Sequence, residues 1–450
     1  MAGSTSISGI VSGMDTTSII NQLMQVEAAP QTLLKHKQST ATSLVSALQS
    51  LNTKVASLTT AARTAADPDS WKAVSATSSA SSVTATTTSN ATPSSVTFTV
   101  DSVAQSQSSL VQMPASFYTI PPTFQVIRGG QTYNVTAQST SMADIVAAFN
   151  GAGAGVTATT VSANGTTYLQ LTGTDTGQAN AFTVQSQDST GTWTDLTTTQ
   201  IRAASDASIT LFAGTPAAQT VTQASNTFSG VLGGVDLTVS AVETNPVTVT
   251  VARDDDALTK LASGLVNNLN ATLSEIQSRR ASKTTTDATG RTVVTGGLFA
   301  GDSTTMLLQQ DLMDAGSTSV NGMSLAQIGI TLSQDGTFAL DSGTFSSALA
   351  ADPGKVQDLL SGMAGRVQQV GDQASNSGYG SLTLEIQSQQ SMVKDLSDQI
   401  SSWDDRLALR RSTLETTYTA MESALSNLKS QSTWLASQLS SLSASSGASA

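Results

Sequence analysis

Residues 386–442 read IQSQQSMVKDLSDQISSWDDRLALRRSTLETTYTAMESALSNLKSQSTWLASQLSSL. Ile386, Val393, Ile400, Leu407, Leu414, Met421, Leu428, Leu435 and Leu442 recur in this stretch every seven residues. A strict heptad gathers apolar side chains on one narrow stripe of a helix, and another helix is what hides such a stripe. The spacing predicts a helix over about 382–442, roughly 90 Å long if unbroken at 1.5 Å per residue. A small globular core cannot cover that length. Near the other end Leu34, Ala41, Leu48, Val55 and Ala62 keep the same period, with Leu44, Leu51 and Leu58 between them. The two seams suit each other, or the same ends of neighbouring copies. That pattern belongs to an assembly protein rather than a self-contained catalyst.

The second apolar row of the C-terminal seam changes its offset. Leu396 and Trp403 follow the heptad positions by three residues, whereas Tyr418, Leu425 and Leu439 follow by four. The stripe therefore rotates near Arg410–Arg411, and the helix is expected to face different neighbours before and after this point, with or without a break. The middle of both seams reads as an intramolecular hairpin. The extreme ends, 1–30 and about 430–450, have too little around them to be covered within one subunit. Their apolar residues Ile7, Ile10, Met14, Ile19, Ile20, Leu23, Met24, Leu435, Leu439 and Leu442 are the candidate contacts to other molecules. The candidate seam packing comprises Leu44, Leu48, Leu51, Val55, Leu58, Val393, Leu396, Ile400, Trp403, Leu407, Leu414, Tyr418, Met421, Leu425 and Leu428.

Between the seams the period falls to two. Val96, Phe98 and Val100 alternate with threonines, as in a half-exposed strand. Phe124–Ile127 and Thr132–Val135 flank a Gly129-Gly130 turn and read as a hairpin. Ser141 to Asn150 reads as a short capped helix. Strands follow at 156–161, 168–171, 181–185 and through 209–251. Asp254–Asp256 opens a helix carrying Leu258, Leu265, Leu269 and Ile276; a polar loop precedes another helix near 302–314, and Asp335-Gly336 marks a further hairpin. Pro30 interrupts or restarts the first helix, and Asp67-Pro68 stops it.

The expected class is α+β and multidomain, with paired N- and C-terminal coiled-coil-like helices flanking inserted antiparallel β-rich domains. The expected parts are terminal legs at 1–42 and 430–450, a helical bundle with a small β-hairpin region at 43–74 and 253–429, a β-rich plate at 75–122 and 206–252, and an outer β-rich insert with one short helix at 123–205.

With 12% charged residues in 450 and a net charge of −12, the surface is coated mainly by hydroxyls and amides. The charge argues against nucleic acid as partner, since that needs clustered cations; the pairs Arg279–Arg280 and Arg410–Arg411 do not make a basic patch. The absence of cysteine removes disulfides, thiolate metal sites and thiol catalysis. The N-terminus lacks the basic and apolar regions of a secretory signal, and no apolar run reaches the ~18 residues of a membrane span. Export, if it occurs, is expected to use another route.

No group of residues converges on chemistry. His36, the one histidine, lies beside Lys35 and Lys37 on a heptad helix and reads as solvated. Asp254–Asp256 reads as a helix start whose acids complement the helix dipole. Gly151, Gly153 and Gly155 follow a helix and lack the spacing of a dinucleotide fingerprint. Gln334–Thr337 lacks the later ligands of a calcium loop. No catalytic, cofactor or metal site is expected, and no enzyme activity.

The ordered set of motifs resembles the flagellar filament-capping family, hook-associated protein 2 or FliD. It runs from Ser8-Gly-Ile-Val-Ser-Gly-Met-Asp15 through Glu27-Ala-Ala-Pro30, Ala66-Asp-Pro-Asp-Ser-Trp71, Val100–Gln105, Leu171–Gly177, Asn180–Phe182, Val251–Asp256, Leu298–Ser303 and Ile328–Ile330 to Asp335-Gly-Thr337. The resemblance implies a secreted subunit, exported unfolded and uncleaved by flagellar type III export. It implies a homo-oligomeric ring at the distal filament tip that promotes insertion and polymerisation of flagellin. It further implies legs on the filament end, β-domains as a plate, a cytoplasmic export chaperone on the C-terminal helix and, for some members, contact with host mucin. The other readings are flagellin or a hook–filament junction protein, whose terminal motifs differ from Ser12-Gly-Met-Asp15, and a glycan-binding surface adhesin.

Overall fold

The computed structural model describes residues 13–88, 90–163 and 165–446, with side chains up to residue 440. The described residues form two units, one up to residue 67 and from residue 259 onward, the other from residue 68 to 258.

The first unit opens with α1 (Thr16–Glu27) and α2 (Ala29–Ala66). Asp15 caps α1 by accepting from the Ser18 N–H at 2.9 Å, which satisfies one of the free donors of the first turn. Pro30 sits in the first turn of α2, where its missing N–H costs nothing. So the proline restarts the helix rather than kinking it. Below it α2 runs unbroken past residue 42.

The second unit begins with β1 (Val74–Ser78), β2 (Val83–Thr87) and β3 (Ser94–Ser102). An outer insert follows: β4 (Ser108–Val111), β5 (Thr123–Arg128), β6 (Gln131–Thr136), α3 (Met142–Gly151), β7 (Val156–Ala163), β8 (Thr166–Gly173), β9 (Phe182–Gln187), β10 (Trp193–Asp195) and β11 (Thr198–Arg202). The chain then returns through β12 (Ala207–Leu211), β13 (Gln219–Gln223), β14 (Thr227–Leu232), β15 (Val235–Val239) and β16 (Glu243–Arg253).

Sheets β1-β16-β3-β12-β13 and β14-β15-β2 share one core. Val96, Phe98 and Val100 of β3 point inward beside Val247, Val249 and Val251 of β16, while Thr97 and Thr248 join hydroxyls on the other face. The alternation seen in sequence is thus a real inside–outside division. Sheets β10-β9-β5-β6 and β11-β4-β8-β7 enclose a second core, into which α3 inserts Ile145 and Phe149. β4 pairs with β8 and β11. Residues 108–111 therefore belong to the outer insert, not to the plate assigned over 75–122. The Gln105–Ser205 bridge marks the crossing. Sequence missed this because β4 is short and Ser-rich, followed by a proline-bearing run.

The chain re-enters the first unit within α4 (Asp255–Arg280), and β17 (Lys283–Thr286), β18 (Thr292–Thr295), α5 (Ser303–Ser317), β19 (Ile330–Leu332), β20 (Phe338–Leu340), α6 (Ser342–Ala351), α7 (Pro353–Ser375) and α8 (Ser381–Ser446) follow. The bundle core joins Leu51, Val55 and Leu58 of α2 to Leu265, Leu269 and Leu273 of α4, Leu312 of α5, and Leu360, Met363 and Val367 of α7. Each such side chain contributes about 1.5–3 kcal/mol of burial. Two elements were not foreseen. The polar loop after α4 holds the β17–β18 hairpin, and α7 fills the stretch before α8, where glycines hide its apolar row.

Candidate functional site

α8 is one continuous helix of 66 residues, with no break at Arg410–Arg411. Its first heptads are buried in the bundle, with Leu382 and Ile386 inside and Leu396 at the rim. Beyond them it lies antiparallel to α2 and then α1. Gln31 donates from Nε2 to Asp404 Oδ1 at 2.5 Å, and Gln31 is itself buried. Arg410 Nε stands 3.4 Å from Glu27 Oε1, and Arg411 Nη2 donates to Asn21 Oδ1 at 2.8 Å. The α1–α2 joint at Ala28 therefore falls opposite the point where the apolar row of α8 changes offset. Before it α8 faces α2; after it α8 faces α1. The two sets of neighbours expected from the rotated stripe are successive helices of the same chain.

This corrects one expectation. The segment before residue 30 is not left uncovered throughout. Ile20 is 5% exposed, and it lines a small recess with Thr16, Thr17, Arg411, Glu415, Tyr418 and Thr419. The reason is that Ile20 falls on the side of α1 that faces the shifted row of α8. Ile19 and Met24 are half-buried, whereas Met14 and Leu23 are exposed. Ile7, Ile10 and the side chain of Leu442 lie outside the described residues.

Of the seam positions, Leu48, Leu51, Val55 and Leu58 are buried, and Leu44 is half-buried. Val393, Ile400, Trp403, Leu407, Leu414, Tyr418, Met421 and Leu425 are half-buried along α8. Leu428 differs from its assignment: it is 61% exposed, and among the described residues α1, which starts at Thr16, sets no helix opposite this heptad. Past it, Trp434, Leu435 and Leu439 are 61%, 54% and 70% exposed. Leu428, Leu435 and Leu439 form an apolar stripe on a polar helix, and Trp434 stands about 100° round from it. Val26, Leu33 and Leu409 add exposed apolar side chains on the same helices. They lie off the heptad positions, so the seam pattern passes over them; an apolar residue out of register was the available signal.

At the base of α8, Glu385 faces Asp302, the cap of α5. Burial and the neighbouring Asp302 carboxylate push the Glu385 carboxyl up to about 7. Asp302 itself accepts from the Thr305 N–H at 3.0 Å.

The other candidates have structural partners. His36 is exposed. Asp254 caps α4 by accepting from the Ala257 N–H at 2.8 Å. Asp335 accepts from Ser333 and Thr337 within its turn. Among the described residues no group of three His, Cys, Asp or Glu is placed to hold a metal, and no helix is long and apolar enough to cross a membrane.

Terminal helices that close antiparallel on each other, carry inserted antiparallel β-domains and extend an uncovered apolar tail define a class of protein: a subunit that assembles through its paired ends. The family model of the flagellar hook-associated protein 2 N-terminus matches residues 12–107, and that of its C-terminus matches residues 204–430. The chain belongs to the flagellar hook-associated protein 2 family. It is 29% identical over 231 residues to the lateral flagellar hook-associated protein 2 of Vibrio parahaemolyticus, covering 50% of each chain. It is 29% identical over 257 residues to the B-type flagellar hook-associated protein 2 of Pseudomonas aeruginosa, covering 53% of this chain and 54% of the relative. The matches thus span about half the length of these relatives. The crystal structure of the D1-D2-D3 domains of the flagellar cap protein FliD from Escherichia coli superposes with a TM-score of 0.56 at 26% identity, covering 76% of this chain and 99% of that one.

Proposed function

We propose that this chain caps the distal end of the bacterial flagellar filament. It is a secreted structural subunit that forms a ring with copies of itself and promotes insertion and polymerisation of exported flagellin. The observation that carries this reading is the uncovered stripe Leu428–Leu435–Leu439, the continuation of the seam through which the same helix packs against α2 and α1, with Trp434 exposed beside it. A long apolar stripe in water is an association surface. The filament end is its proposed partner in the assembled state. A cytoplasmic export chaperone is the proposed cover before secretion, since the same stripe would otherwise aggregate.

The outer insert carries an open cleft of about 710 Å³ lined by Phe117, Tyr118, Asp188 and Asp195. Aromatic faces beside carboxylates suit sugars, which supports host mucin as a further contact of this domain. Residues 1–42 and 430–450 are the proposed legs.

A deletion strain tests the main reading. Cells lacking the gene should release flagellin monomers and carry no long filaments, and the full-length gene should restore them. Normal filaments in the deletion strain would refute it.

A further inference from the structure

Every residue of β17 and β18 is exposed, and each strand has the other as its one neighbour. A lone two-stranded ribbon is marginal in water and leaves both outer edges free. Val293 and Val294, on opposite faces, are 41% and 64% exposed. Lys283 and Arg291 of the same hairpin form no ion pair among the described residues. With Asp287 in its turn the hairpin carries a net charge of +1, in a chain of net charge −12, and Lys283 and Arg291 are its cations.

Its complement lies on α8. Asp395, Asp398 and Asp405 are exposed and share one face of that helix, within ~80° of arc at 100° per residue. The opposite side carries Ile400 against α2. Leu384 and Leu409, 50% and 71% exposed, continue the acidic face at either end. Lys394 borders it, and Arg406 is turned away onto the Trp403 ring, 4.2 Å from its centre. The three carboxylates form no ion pair among the described residues.

We infer that β17–β18 of one copy docks on the Leu384–Leu409 face of α8 of the next. Lys283 and Arg291 meet Asp395, Asp398 and Asp405, with Val293, on the same face of the hairpin as Lys283, set against the helix between them. Among the described residues both surfaces stand free, and the two cations of one face the three carboxylates of the other. Because the two surfaces differ, the contact is head-to-tail, the kind that closes into a ring when the rotation allows. The inference rests on the ring-forming reading above.

The chain has no cysteine, so introduced thiols report contacts cleanly. Full-length Val293→Cys mixed with full-length Ser402→Cys should cross-link under mild oxidation about tenfold more than either alone. Lys283→Glu with Arg291→Glu should cut the ring population about tenfold in sizing experiments, and so should Asp395→Lys with Asp405→Lys. All four changes together should restore it. Rings that survive either reversal, or Val293→Cys chains that cross-link mainly to themselves, would overturn the inference while leaving the capping reading intact. A wild-type chain that forms no ring would overturn the inference as well. Reversed chains that form full rings but no filaments would assign the hairpin to flagellin instead.

Discussion

A β-carbon added to Gly371 of α7 would lie 2.1 Å from Oγ1 of Thr59 on α2. Thr59 is buried and its hydroxyl donates to the Val55 carbonyl of its own helix at 2.8 Å. The glycine is what lets α7 approach α2 over the hydroxyl. Gly362 does the same on another side of α7, where an added β-carbon would stand 2.6 Å from Val320 Cγ1. Gly371→Ala is expected to lower stability by about 1–3 kcal/mol through overpacking. Thr59→Ala should recover part of that loss, because the nearest clashing atom is gone. Urea unfolding of both single variants and the double checks this; strictly additive losses would show that the two residues do not press on each other.

These glycines explain what could be read in the sequence and what could not. α8 announces itself because its apolar residues repeat without interruption from Ile386 onward. α7 carries an equally regular core row at Val356, Leu359, Leu360, Met363 and Val367. Its glycines, of which Gly362 and Gly371 serve close packing, look locally like helix breakers and conceal that row. The partner change along α8 was legible as a shift from a three-residue to a four-residue offset. The identity of the new partner was not, since it depends on Ala28 ending one helix and starting another opposite Arg410. Burial of Ile20 follows from that geometry and has no separate mark in the sequence. β4, four residues of Ser108–Val111, is recognisable only from the strands it pairs with.

Glu385 makes the helical unit sensitive to pH. Its folded carboxyl titrates near 7, above the ordinary value of 4.5. The folded state therefore holds a proton that the unfolded chain releases at lower pH. That contribution is complete below about pH 4.5 and is lost as pH rises through about 7. Glu385→Gln removes the titration. The variant should gain about 1–2 kcal/mol over wild type at pH 8 relative to pH 5, a figure discounted for the solvent that still reaches the side chain. Thermal melts of both proteins at the two pH values test it. An equal difference at both would sink the assignment.

Four side-chain amides stand in for a paired backbone residue. Gln107 donates to the Phe182 carbonyl at 2.9 Å and accepts from the Phe182 N–H at 2.8 Å. Asn150 does this with Ala158, Asn226 with Ala104 and Asn270 with Phe338. Each position needs a donor and an acceptor on one planar group, which an amide supplies and a carboxylate does not. Gln107→Leu should destabilise the outer insert by about 2–4 kcal/mol, leaving a buried N–H and C=O unpaired. Gln107→Glu should cost a similar amount at neutral pH. Hydrogen exchange of the Phe182 amide is the local readout: unchanged protection in Gln107→Leu would mean that another group or water takes over the pair.

The tail of α8 separates folding from assembly. Trp434, Leu435 and Leu439 are all more than half exposed and contribute little to the stability of an isolated chain. Replacing the three with glutamine should leave the melting temperature of the purified protein within about 1–2 °C of wild type, as expected for surface changes. Binding to sheared filament ends should fall at least about tenfold, because the apolar stripe that would be buried there is gone. Ile20→Gln offers the opposite signature. It places an amide in the recess formed with Tyr418, so α1 should detach from α8 and lose exchange protection in the purified chain. If the triple variant were to unfold early, or to bind filament ends as wild type does, the exposed stripe would not be the docking surface. The pair of variants thus distinguishes a leg that is sealed by its own chain from one that is sealed by the filament.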